Sequence, residues 1–363
     1  MFQSTGYGAK TALSKLERMT FERDDPRPNE LVIEVLYAGV CHSDIHQVKN
    51  EWSNTVYPCV PGHEIVGRVK QVGAETSRFR EGDLVGVGCM IDSCRQCEAC
   101  SAGDQNYCEG PNGWLATYNG PMTPATATKD GSNIYGRDNT FGGYSDTVVV
   151  PEDFVLRIPE GLDPKTAAPI LCAGVTTWSP LHHWGVEAGA KVAVLGYGGL
   201  GHMAAKLAKA MGAEVTVLTT TPDKIEDAKR LGADAAYIET DKTALAPLAG
   251  TFDFILSTVP DKHEIGALLD LMKRDGAFVV VGNLDVVDGV DNAKLAFKRQ
   301  TVGGSLIGNL QETQDVLDFC AENGIAPEVE MIDIADINEA YVKIENGAAR
   351  YRYVIDMATL KAA

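Results

Sequence analysis

The pattern of hydrophobic and polar positions changes in character along the chain. Over the first 150 residues, short apolar runs are broken by Gly and Pro and show little helical periodicity, which indicates a β-rich unit. The runs predict strands at Leu31–Ala38, Ile65–Val72, Leu84–Gly88 and Tyr144–Val150. The segment Glu109–Thr140, rich in Gly, Asn, Thr, Pro and Ala, is expected to form a long surface excursion.

The pattern changes near residue 160, and apolar runs then alternate with amphipathic stretches. The runs predict strands at Lys191–Leu195, Val215–Thr219, Ala235–Glu239, Phe254–Val259 and Ala277–Gly282. The stretches predict helices at Leu200–Met211, Lys224–Leu231 and Glu264–Arg274. Strands that alternate with helices imply crossover connections and a parallel sheet covered on both faces. The fold class is therefore α/β, with a β-rich domain followed by a doubly wound parallel sheet.

The end of the chain returns to mixed helix and strand after about Ile307 and closes on a strand-like segment, Arg350–Asp356. The economical interpretation is that this segment rejoins the first domain. Residues 1–160 and 307–363 then form the β-rich domain, and residues 161–306 form an inserted nucleotide-binding domain.

Composition narrows the class of protein. The 363 residues are enough for about two domains, each with its own core. The net charge of −18 argues against nucleic acid or an anionic membrane surface as the main partner, because both demand basic patches. No stretch approaches the roughly 18 apolar residues needed to cross a bilayer, and Met1–Lys10 has no signal-like apolar region, so we expect a cytoplasmic protein. Nine cysteines in such a chain suggest metal ligation or free thiols rather than disulfides.

Four cysteines form a compact group with the spacing C-x2-C-x2-C-x7-C, namely Cys94, Cys97, Cys100 and Cys108. Four thiolates at this spacing can converge on one tetrahedral ion, and zinc accepts four sulfur ligands with no open position. Free or disulfide-bonded cysteines are the plain alternative, but such short spacings strain a disulfide. An iron–sulfur cluster also takes four cysteines, yet nothing else in the sequence indicates electron transfer. We predict a structural zinc lobe over about residues 89–110.

A second metal site is predicted from three residues that lie far apart in the sequence, Cys41, His63 and Cys172. Two thiolates, one imidazole and a vacant position form a catalytic zinc site, where the metal acts as a Lewis acid. Taken singly, each of these residues is more often packing or surface. Asp44 can orient the imidazole of His63, as carboxylates beside metal-bound histidines commonly do.

Two further residues near Cys41 suit proton transfer. Ser43 and His46 carry a hydroxyl and an imidazole, which are suitable relay groups near neutral pH. We interpret the other cysteines and several histidines as ordinary core or surface residues, namely Cys59, Cys89, Cys320, His182, His183, His202 and His263.

A glycine-rich turn, Gly196-Tyr197-Gly198-Gly199-Leu200-Gly201, fits G-x-G-x-x-G. It follows an apolar strand and opens a helix, which is the context that a dinucleotide site requires. The glycines permit a tight turn and a close approach of the backbone to the pyrophosphate at the helix N-terminus. A structural turn with no ligand is the alternative.

The end of the next strand indicates which dinucleotide binds. An NAD site usually places Asp or Glu there, about 20 residues after the glycines, to hold the ribose hydroxyls. This chain instead has Thr219, Thr220, Thr221 and Lys224, with Asp223 as the one acidic residue nearby. Hydroxyls and a lysine can accept a 2′-phosphate, so NADP is favoured over NAD.

With both cysteine sites and the glycine-rich turn in place, the sequence resembles the zinc-dependent medium-chain alcohol dehydrogenases. It is most similar to the cinnamyl alcohol dehydrogenase branch, which includes bacterial broad-range NADP-dependent aldehyde reductases. The resemblance runs over nearly the whole chain. Besides the four cysteines and the glycine-rich turn, it is carried by Gly39-Val40-Cys41-His42-Ser43-Asp44, Tyr57-Pro58-Cys59-Val60-Pro61-Gly62-His63-Glu64 and Leu171-Cys172-Ala173-Gly174-Val175-Thr176.

The resemblance implies a GroES-like catalytic domain split around a Rossmann domain, a homodimer, two zinc ions per chain, and hydride transfer between NADP(H) and an aldehyde or primary alcohol. It implies that Cys41, His63 and Cys172 hold the catalytic zinc, with Glu64 behind the metal as a transient ligand. The four-cysteine lobe would hold the structural zinc, and Ser43 and His46 match the proton relay. Cofactor contacts are implied at the turn 196–201 and at Ser43, Thr176, Thr219, Thr220, Thr221, Lys224, Thr258, Gly282, Ser305, Leu306 and Ile307.

Two departures favour a broad-range reductase of aromatic and aliphatic aldehydes over a monolignol enzyme. The excursion is longer than in the plant enzymes. If Tyr118-Asn119 is used as the anchor, Ala116 stands where those enzymes carry a pocket tryptophan, and whether Trp114 replaces that tryptophan is left open. Two alternatives stay open: an NAD-linked polyol dehydrogenase, and a non-catalytic nucleotide-binding or redox-sensing member of the superfamily.

Overall fold

The computed structural model describes residues 1–120, 134–136, 139–284 and 286–361. Contacts between Cα atoms divide the chain into two compact units. The first contains Met1–Cys172 and Asn309–Ala363, and the second contains Ala173–Gly308. The domain boundaries expected from the sequence lie at 160/161 and 306/307.

The elements of the first unit come from both ends of the chain. Its strands are β1 (Phe2–Gly8), β2 (Glu17–Arg23), β3 (Glu30–Val40), β4 (Ile65–Val72), β5 (Leu84–Val87), β6 (Met90–Asp92), β7 (Leu115–Ala116), β8 (Thr147–Pro151), β9 (Leu156–Arg157), β16 (Val329–Asp333) and β17 (Arg352–Asp356). Its α-helices are α1 (His42–Val48), α2 (Glu98–Ala102), α3 (Pro164–Pro169), α9 (Leu310–Asn323) and α10 (Ile337–Glu345).

The second unit alternates strands and helices. Its strands are β10 (Lys191–Leu195), β11 (Glu214–Thr219), β12 (Ala235–Ile238), β13 (Phe252–Ser257), β14 (Met272–Val280) and β15 (Thr301–Gly304). Its α-helices are α4 (Val175–His183), α5 (Gly201–Ala210), α6 (Asp223–Arg230), α7 (Lys242–Leu245) and α8 (Asn292–Lys298).

The strand β3 organises the first unit. The main sheet has the order β16-β17-β3-β4-β5-β9, and β8 also pairs with β3. The pairing of β17 with β3 is antiparallel and brings Tyr353 opposite Val40, so the C-terminal segment joins the sheet of the N-terminal half. Leu31 and Ile33 of β3 are fully buried in the core of this unit. The strand runs directly into Cys41 and α1, and so fixes the start of the candidate site.

The sheet of the second unit is parallel throughout its described strands, in the order β12-β11-β10-β13-β14-β15. The apolar run Val192–Leu195 of β10 is fully buried, as expected for a central strand covered on both faces. This confirms the doubly wound parallel sheet. Because the strands are parallel, the residues that follow them collect at one edge, where open α/β sheets bind ligands.

The helix predicted at Glu264–Arg274 is wrong. The structure has a short 3-10 helix at Leu268–Leu271, followed directly by β14, which begins at Met272. The apolar residues that suggested a helical face pack together into the core beneath the sheet. Because Met272 pairs with Phe252, the end of the segment 264–274 belongs to the sheet. The residues before it form a single helical turn.

The strand predicted at Tyr144–Val150 begins later, at Thr147. The preceding backbone bonds to other segments instead, since Tyr144 donates to Pro61 and Asp146 donates to Thr5. In the part of the chain that the structure describes, no helix is long and apolar enough to cross a membrane.

Candidate active site

Four buried side chains converge in the first unit. The ligand atoms of Cys41, His63, Glu64 and Cys172 all lie within 4.8 Å of one another. Cys41 precedes α1, and His63 and Glu64 precede β4. Cys172 lies in a π-helical segment, Ile170–Gly174, a rare conformation that often occurs at functional sites. The structure thus brings together the three metal ligands predicted from the sequence, with Glu64 beside them.

Asp44 is the hub of hydrogen bonds around this cluster. Its Oδ1 accepts from the His63 Nδ1 at 2.9 Å and from the Gly62 backbone N–H at 3.0 Å. Its Oδ2 accepts from the Cys41 backbone N–H at 2.9 Å and from the Tyr144 hydroxyl at 3.2 Å. Since His63 donates through Nδ1, its Nε2 is left to bind a metal.

The two thiols of the cluster lie within 4.8 Å of each other. The contact with the Cys172 thiol lowers the pKa of Cys41, and the same contact raises the pKa of Cys172. One thiol of the pair therefore ionises more readily than the other. Two cysteines, a histidine and a carboxylate are a donor set that suits zinc.

Glu64 is held by a buried arginine that sequence reasoning missed. Arg352 of β17 pairs with Oε1 of Glu64, and both side chains are buried. Burial raises the pKa of Glu64 to about 7 although Arg352 opposes the shift. Among the described residues, Oε2 of Glu64 has no hydrogen-bond partner. A buried oxygen with no donor, beside two thiols and an imidazole, fits a metal that binds there.

The residues predicted for proton transfer lie on α1. The Ser43 Oγ is 3.7 Å from the Cys41 Sγ. The His46 Nδ1 contacts the Glu51 carboxylate, and the His46 ring stacks on that of His42 with centroids 4.6 Å apart. Glu51 was not predicted from the sequence. Its position five residues after His46 was the signal that could have indicated a partner for the imidazole.

Cys89, interpreted from the sequence as an ordinary thiol, lies beside Cys172 of this cluster. Its contact with Cys172 contributes to the raised pKa of that thiol. The adjacent backbones explain the proximity, because a Cβ placed on Gly88 would lie 3.0 Å from the carbonyl oxygen of Leu171. Sequence gave no signal for this, since residues 89 and 172 are distant along the chain.

The four-cysteine lobe also converges, with the Sγ atoms of Cys94, Cys97, Cys100 and Cys108 within 4.8 Å of one another. Backbone N–H groups donate to these sulfurs at 3.3–3.4 Å, for example from Cys100 and Glu109 to Cys97. The N–H of Cys100 is the main cause that lowers the pKa of Cys97 to about 6. All nine cysteines of the chain are free thiols, so the structure has no disulfide in the lobe.

The glycine-rich turn of the second unit joins β10 to α5. Gly196 has φ +84°, and a Cβ on Gly201 would overlap the carbonyl oxygen of Gly196. A Cβ on Gly198 would meet nothing within 4 Å. Thr258 supports the turn, since its Oγ1 donates to the carbonyl oxygens of Leu195 and Gly196 at 3.0 and 3.1 Å. Gly201 therefore serves packing, whereas Gly198 leaves open space for a ligand.

The expected 2′-phosphate residues lie where β11 ends and α6 begins. Thr219 is buried and its Oγ1 accepts from the Thr221 backbone N–H at 3.2 Å. Thr220 is exposed, whereas Lys224 is largely buried on α6. The strand end carries no carboxylate, because Thr219 is its last residue and Asp223 starts the helix.

Apart from Ser43, which lies on α1 of the first unit, the remaining predicted cofactor residues also lie in the second unit. Thr176 is buried on α4, and its Oγ1 has no hydrogen-bond partner among the described residues. Gly282 follows β14, and Ser305, Leu306 and Ile307 follow β15. Gly282 and residues 305–307, together with the turn after β10 and Thr258 after β13, lie beyond the carboxyl ends of parallel strands. This edge is where a dinucleotide binds in such sheets.

Comparison with known proteins gives matches over the whole chain. Residues 27–160 match the family model for the alcohol dehydrogenase GroES-like domain, and residues 199–322 match that for zinc-binding dehydrogenase. The chain is 48% identical over 358 residues to NADP-dependent alcohol dehydrogenase C 1 of Mycolicibacterium smegmatis, covering 99% of each. It is 48% identical over 355 residues to aldehyde reductase YahK of Escherichia coli, covering 97% of this chain and 98% of that protein. A cinnamyl alcohol dehydrogenase structure from Sorghum bicolor superposes with a TM-score of 0.91 at 40% identity, covering 98% of each chain.

Proposed function

Because the chain belongs to the zinc-binding medium-chain alcohol dehydrogenases, we propose that it interconverts aldehydes and primary alcohols with NADP(H), accepting aromatic and aliphatic aldehydes. The observation that carries the proposal is the buried cluster of Cys41, His63, Glu64 and Cys172 in the first unit. Catalytic zinc sites use three protein ligands and keep a position for the substrate. Cys41, His63 and Cys172 would be those ligands, and Glu64 would be the transient one.

The net reaction converts an aldehyde, NADPH and a proton into an alcohol and NADP⁺. When bound, zinc supplies a Lewis acid for the substrate oxygen and NADPH supplies the hydride. Asp44 holds the His63 ring in one orientation through Nδ1. Ser43, next to Cys41, would donate its proton to the substrate oxygen, which carries the negative charge after hydride addition to the carbon. His46, paired with Glu51, would return a proton to Ser43, directly or through a ribose hydroxyl of the cofactor.

The second unit supports NADP rather than NAD. Thr219, Thr220, Thr221 and Lys224 lie at and after the end of β11, and the strand ends on Thr219 rather than on the Asp or Glu that an NAD site usually places there. The turn at Gly196–Gly201 would take the pyrophosphate, and Thr176 would contact the nicotinamide end. The four-cysteine lobe would hold a second zinc with no open position, and so contribute to folding rather than to chemistry.

The test is a spectrophotometric assay of purified protein with one aromatic and one aliphatic aldehyde, with NADPH and NADH in parallel and zinc counted on the same sample. We expect about two zinc ions per chain, as closed and open sites each bind one, and oxidation of NADPH with both aldehydes. No turnover with either aldehyde would favour the non-catalytic alternative. A preference for NADH would overturn the role of Thr219–Lys224 and favour the polyol dehydrogenase alternative.

We further propose a cytoplasmic homodimer in which residues 1–160 and 307–363 form the catalytic domain and residues 161–306 the nucleotide domain. Support for the dimer comes from β15, which ends its sheet, and an edge strand presents hydrogen-bonding groups to another chain. Exposed apolar side chains precede this strand in the chain, namely Leu284, Val286, Val290 and Phe297.

A further inference from the structure

We propose that Tyr144 is a positioning residue for the catalytic metal: its hydroxyl fixes the Asp44 carboxylate that orients His63. The inference rests on the proposed zinc site at Cys41, His63 and Cys172. Tyr144 is fully buried, and its hydroxyl donates to the Asp44 Oδ2 at 3.2 Å. The proton relay and the ligand set make no use of it.

The other donors to Asp44 show why this contact matters. The Cys41 and Gly62 backbone N–H groups are adjacent to metal ligands in the chain, and His63 is itself a ligand. Tyr144 is the donor that comes from a distant segment, 100 residues from Asp44. It therefore ties the carboxylate to a segment of the chain that contains none of the proposed ligands.

The position of Tyr144 is itself fixed at the backbone. Its N–H donates to Pro61 at 2.9 Å, and its carbonyl oxygen accepts from Tyr7 at 2.8 Å. Gly62 has φ +102°, and a Cβ there would lie 2.6 Å from the Tyr144 Cδ1. The Tyr144 ring thus packs on Gly62, the residue before His63, while the Tyr144 hydroxyl donates to the Asp44 carboxylate.

The hydroxyl stays protonated and able to donate. Burial is the main cause that raises the pKa of Tyr144 well above its usual range, and the Asp44 charge adds to the shift. Because the Tyr144 hydroxyl stays protonated, the Asp44 carboxylate keeps the orientation in which it accepts from that hydroxyl. The orientation of the His63 ring is then set by its own hydrogen bond to Asp44. Loss of a residue that hydrogen-bonds directly to a metal ligand typically costs about 10–100-fold in metal affinity or activity. Tyr144 acts one residue further out, so we expect its loss to fall at the lower end of that range.

Tyr144→Phe removes the hydroxyl and keeps the ring. We expect the dissociation constant of one zinc to rise by about 10-fold in chelator competition, while the zinc of the four-cysteine lobe dissociates as in the wild type. The visible spectrum of cobalt bound at the catalytic site should change as well. Tyr118→Phe is the matched control, because that buried ring lies 5.6 Å from the His63 ring and its hydroxyl is not among the four donors to Asp44. We expect it to bind both metals like the wild type.

A double-mutant cycle separates positioning from packing. If Tyr144 acts through Asp44, Tyr144→Phe should have no further effect on zinc affinity in an Asp44→Ala background. Equal effects in both backgrounds, or unchanged zinc affinity and cobalt spectrum in Tyr144→Phe, would overturn the inference. Thermal unfolding of the metal-free variants reports any general loss of stability. Wild-type protein that binds no catalytic zinc would instead overturn the proposed function, so the two failures are distinguishable.

Discussion

At the scale of single residues, the two cysteine clusters differ in what surrounds their sulfurs. In the lobe, backbone N–H groups donate to the sulfurs of Cys94, Cys97 and Cys108, and such bonds are stronger to an ionised acceptor. Around Cys41 and Cys172, the neighbours are an imidazole and the carboxylate of Glu64, which is itself paired with Arg352. The same side chain can therefore serve folding in one cluster and catalysis in the other.

This difference predicts opposite outcomes for two alanine variants. Cys172→Ala should abolish turnover, with a loss greater than the roughly 100-fold that follows from losing a residue hydrogen-bonded to a ligand. The variant should keep one zinc per chain, its fold and its NADPH binding. Cys97→Ala should instead lower the melting temperature, because a structural zinc contributes to folding free energy. Zinc counting, NADPH titration and calorimetry check both. Cys89→Ser is the control: Cys89 lies beside Cys172 but outside the ligand set, so this variant should keep both zinc ions. Near-normal activity of Cys172→Ala would refute the catalytic assignment.

The glycine-rich turn predicts a second contrast between neighbouring positions. Gly198→Ala adds a methyl group where the structure has open space, so we expect an unchanged melting temperature and NADPH binding weakened by about 10-fold or more. Gly201→Ala forces its methyl group onto the Gly196 carbonyl oxygen, so we expect a lower melting temperature. Fluorescence titration of NADPH and thermal unfolding distinguish the two. If Gly198→Ala binds NADPH as tightly as the wild type, the pyrophosphate does not bind at this turn.

The sequence indicated those site residues whose chemistry is carried by spacing or by a motif. The cysteine lobe and the glycine-rich turn are local patterns, and the zinc and NADP predictions made from them are confirmed at the level of the family. The individual site residues stay predictions. Arg352 could not be found, because it is 288 residues from the Glu64 that it holds. Tyr144 could not be found either, because it is 100 residues from Asp44. The sequence predicted a strand that begins at Tyr144 and gave no sign that its hydroxyl donates a hydrogen bond.

At the scale of elements, alternation of apolar runs and helices was enough to predict the parallel sheet, since buried parallel strands are continuous apolar runs. It failed at Glu264–Arg274, where apolar residues at helical spacing fill the core from a single turn. Hydrophobic spacing reports which residues are buried, but not how the backbone reaches those positions. Residues 121–133, within the predicted excursion, lie outside the described residues, as do 137 and 138.

One ionic contact between elements should show a pH-dependent contribution to stability. The Asp234 carboxylate accepts from Lys209 of α5 at 2.6 Å and from the Val215 N–H of β11 at 2.8 Å. The bond from Lys209 is the main cause that holds the pKa of Asp234 below its usual value. The folded-state pKa is thus depressed, so the contribution is complete above the ordinary carboxyl pKa of about 4 and is lost as the pH falls through the folded value.

Asp234→Asn should therefore destabilise the protein at pH 7 by at most about 1 kcal/mol, because the pair is solvent-exposed. The difference from the wild type should close in acid. Urea midpoints measured at neutral and acidic pH check this. Asp241→Asn is a suitable control, since Asn caps α7 as well as Asp does. A gap between Asp234→Asn and wild type that persists unchanged in acid would contradict the assignment.

At the scale of the whole molecule, the proposed dimer makes a specific demand on α8. Phe297 is 91% exposed and lies four residues before the edge strand β15. If a second copy covers this face, Phe297→Asp should convert the dimer to a monomer without loss of zinc. Light scattering with zinc counting checks this, and Leu13→Asp, on a fully exposed apolar residue of the other unit, is the control. A wild-type protein that is monomeric at micromolar concentration would contradict the dimer.

The two cysteine clusters differ greatly in how much of the chain each one spans, and this has a consequence during synthesis. The lobe is complete within residues 94–108, whereas the catalytic cluster is assembled from residues 41 to 172. A short loop closes at a lower entropic cost than a long one, and metal binding is itself folding free energy. On a chain leaving the ribosome, the lobe can therefore acquire its ion and fold while Cys172 has yet to be made. We therefore expect the lobe to bind its proposed ion first, because the proposed catalytic site is complete only after Cys172 has been synthesised.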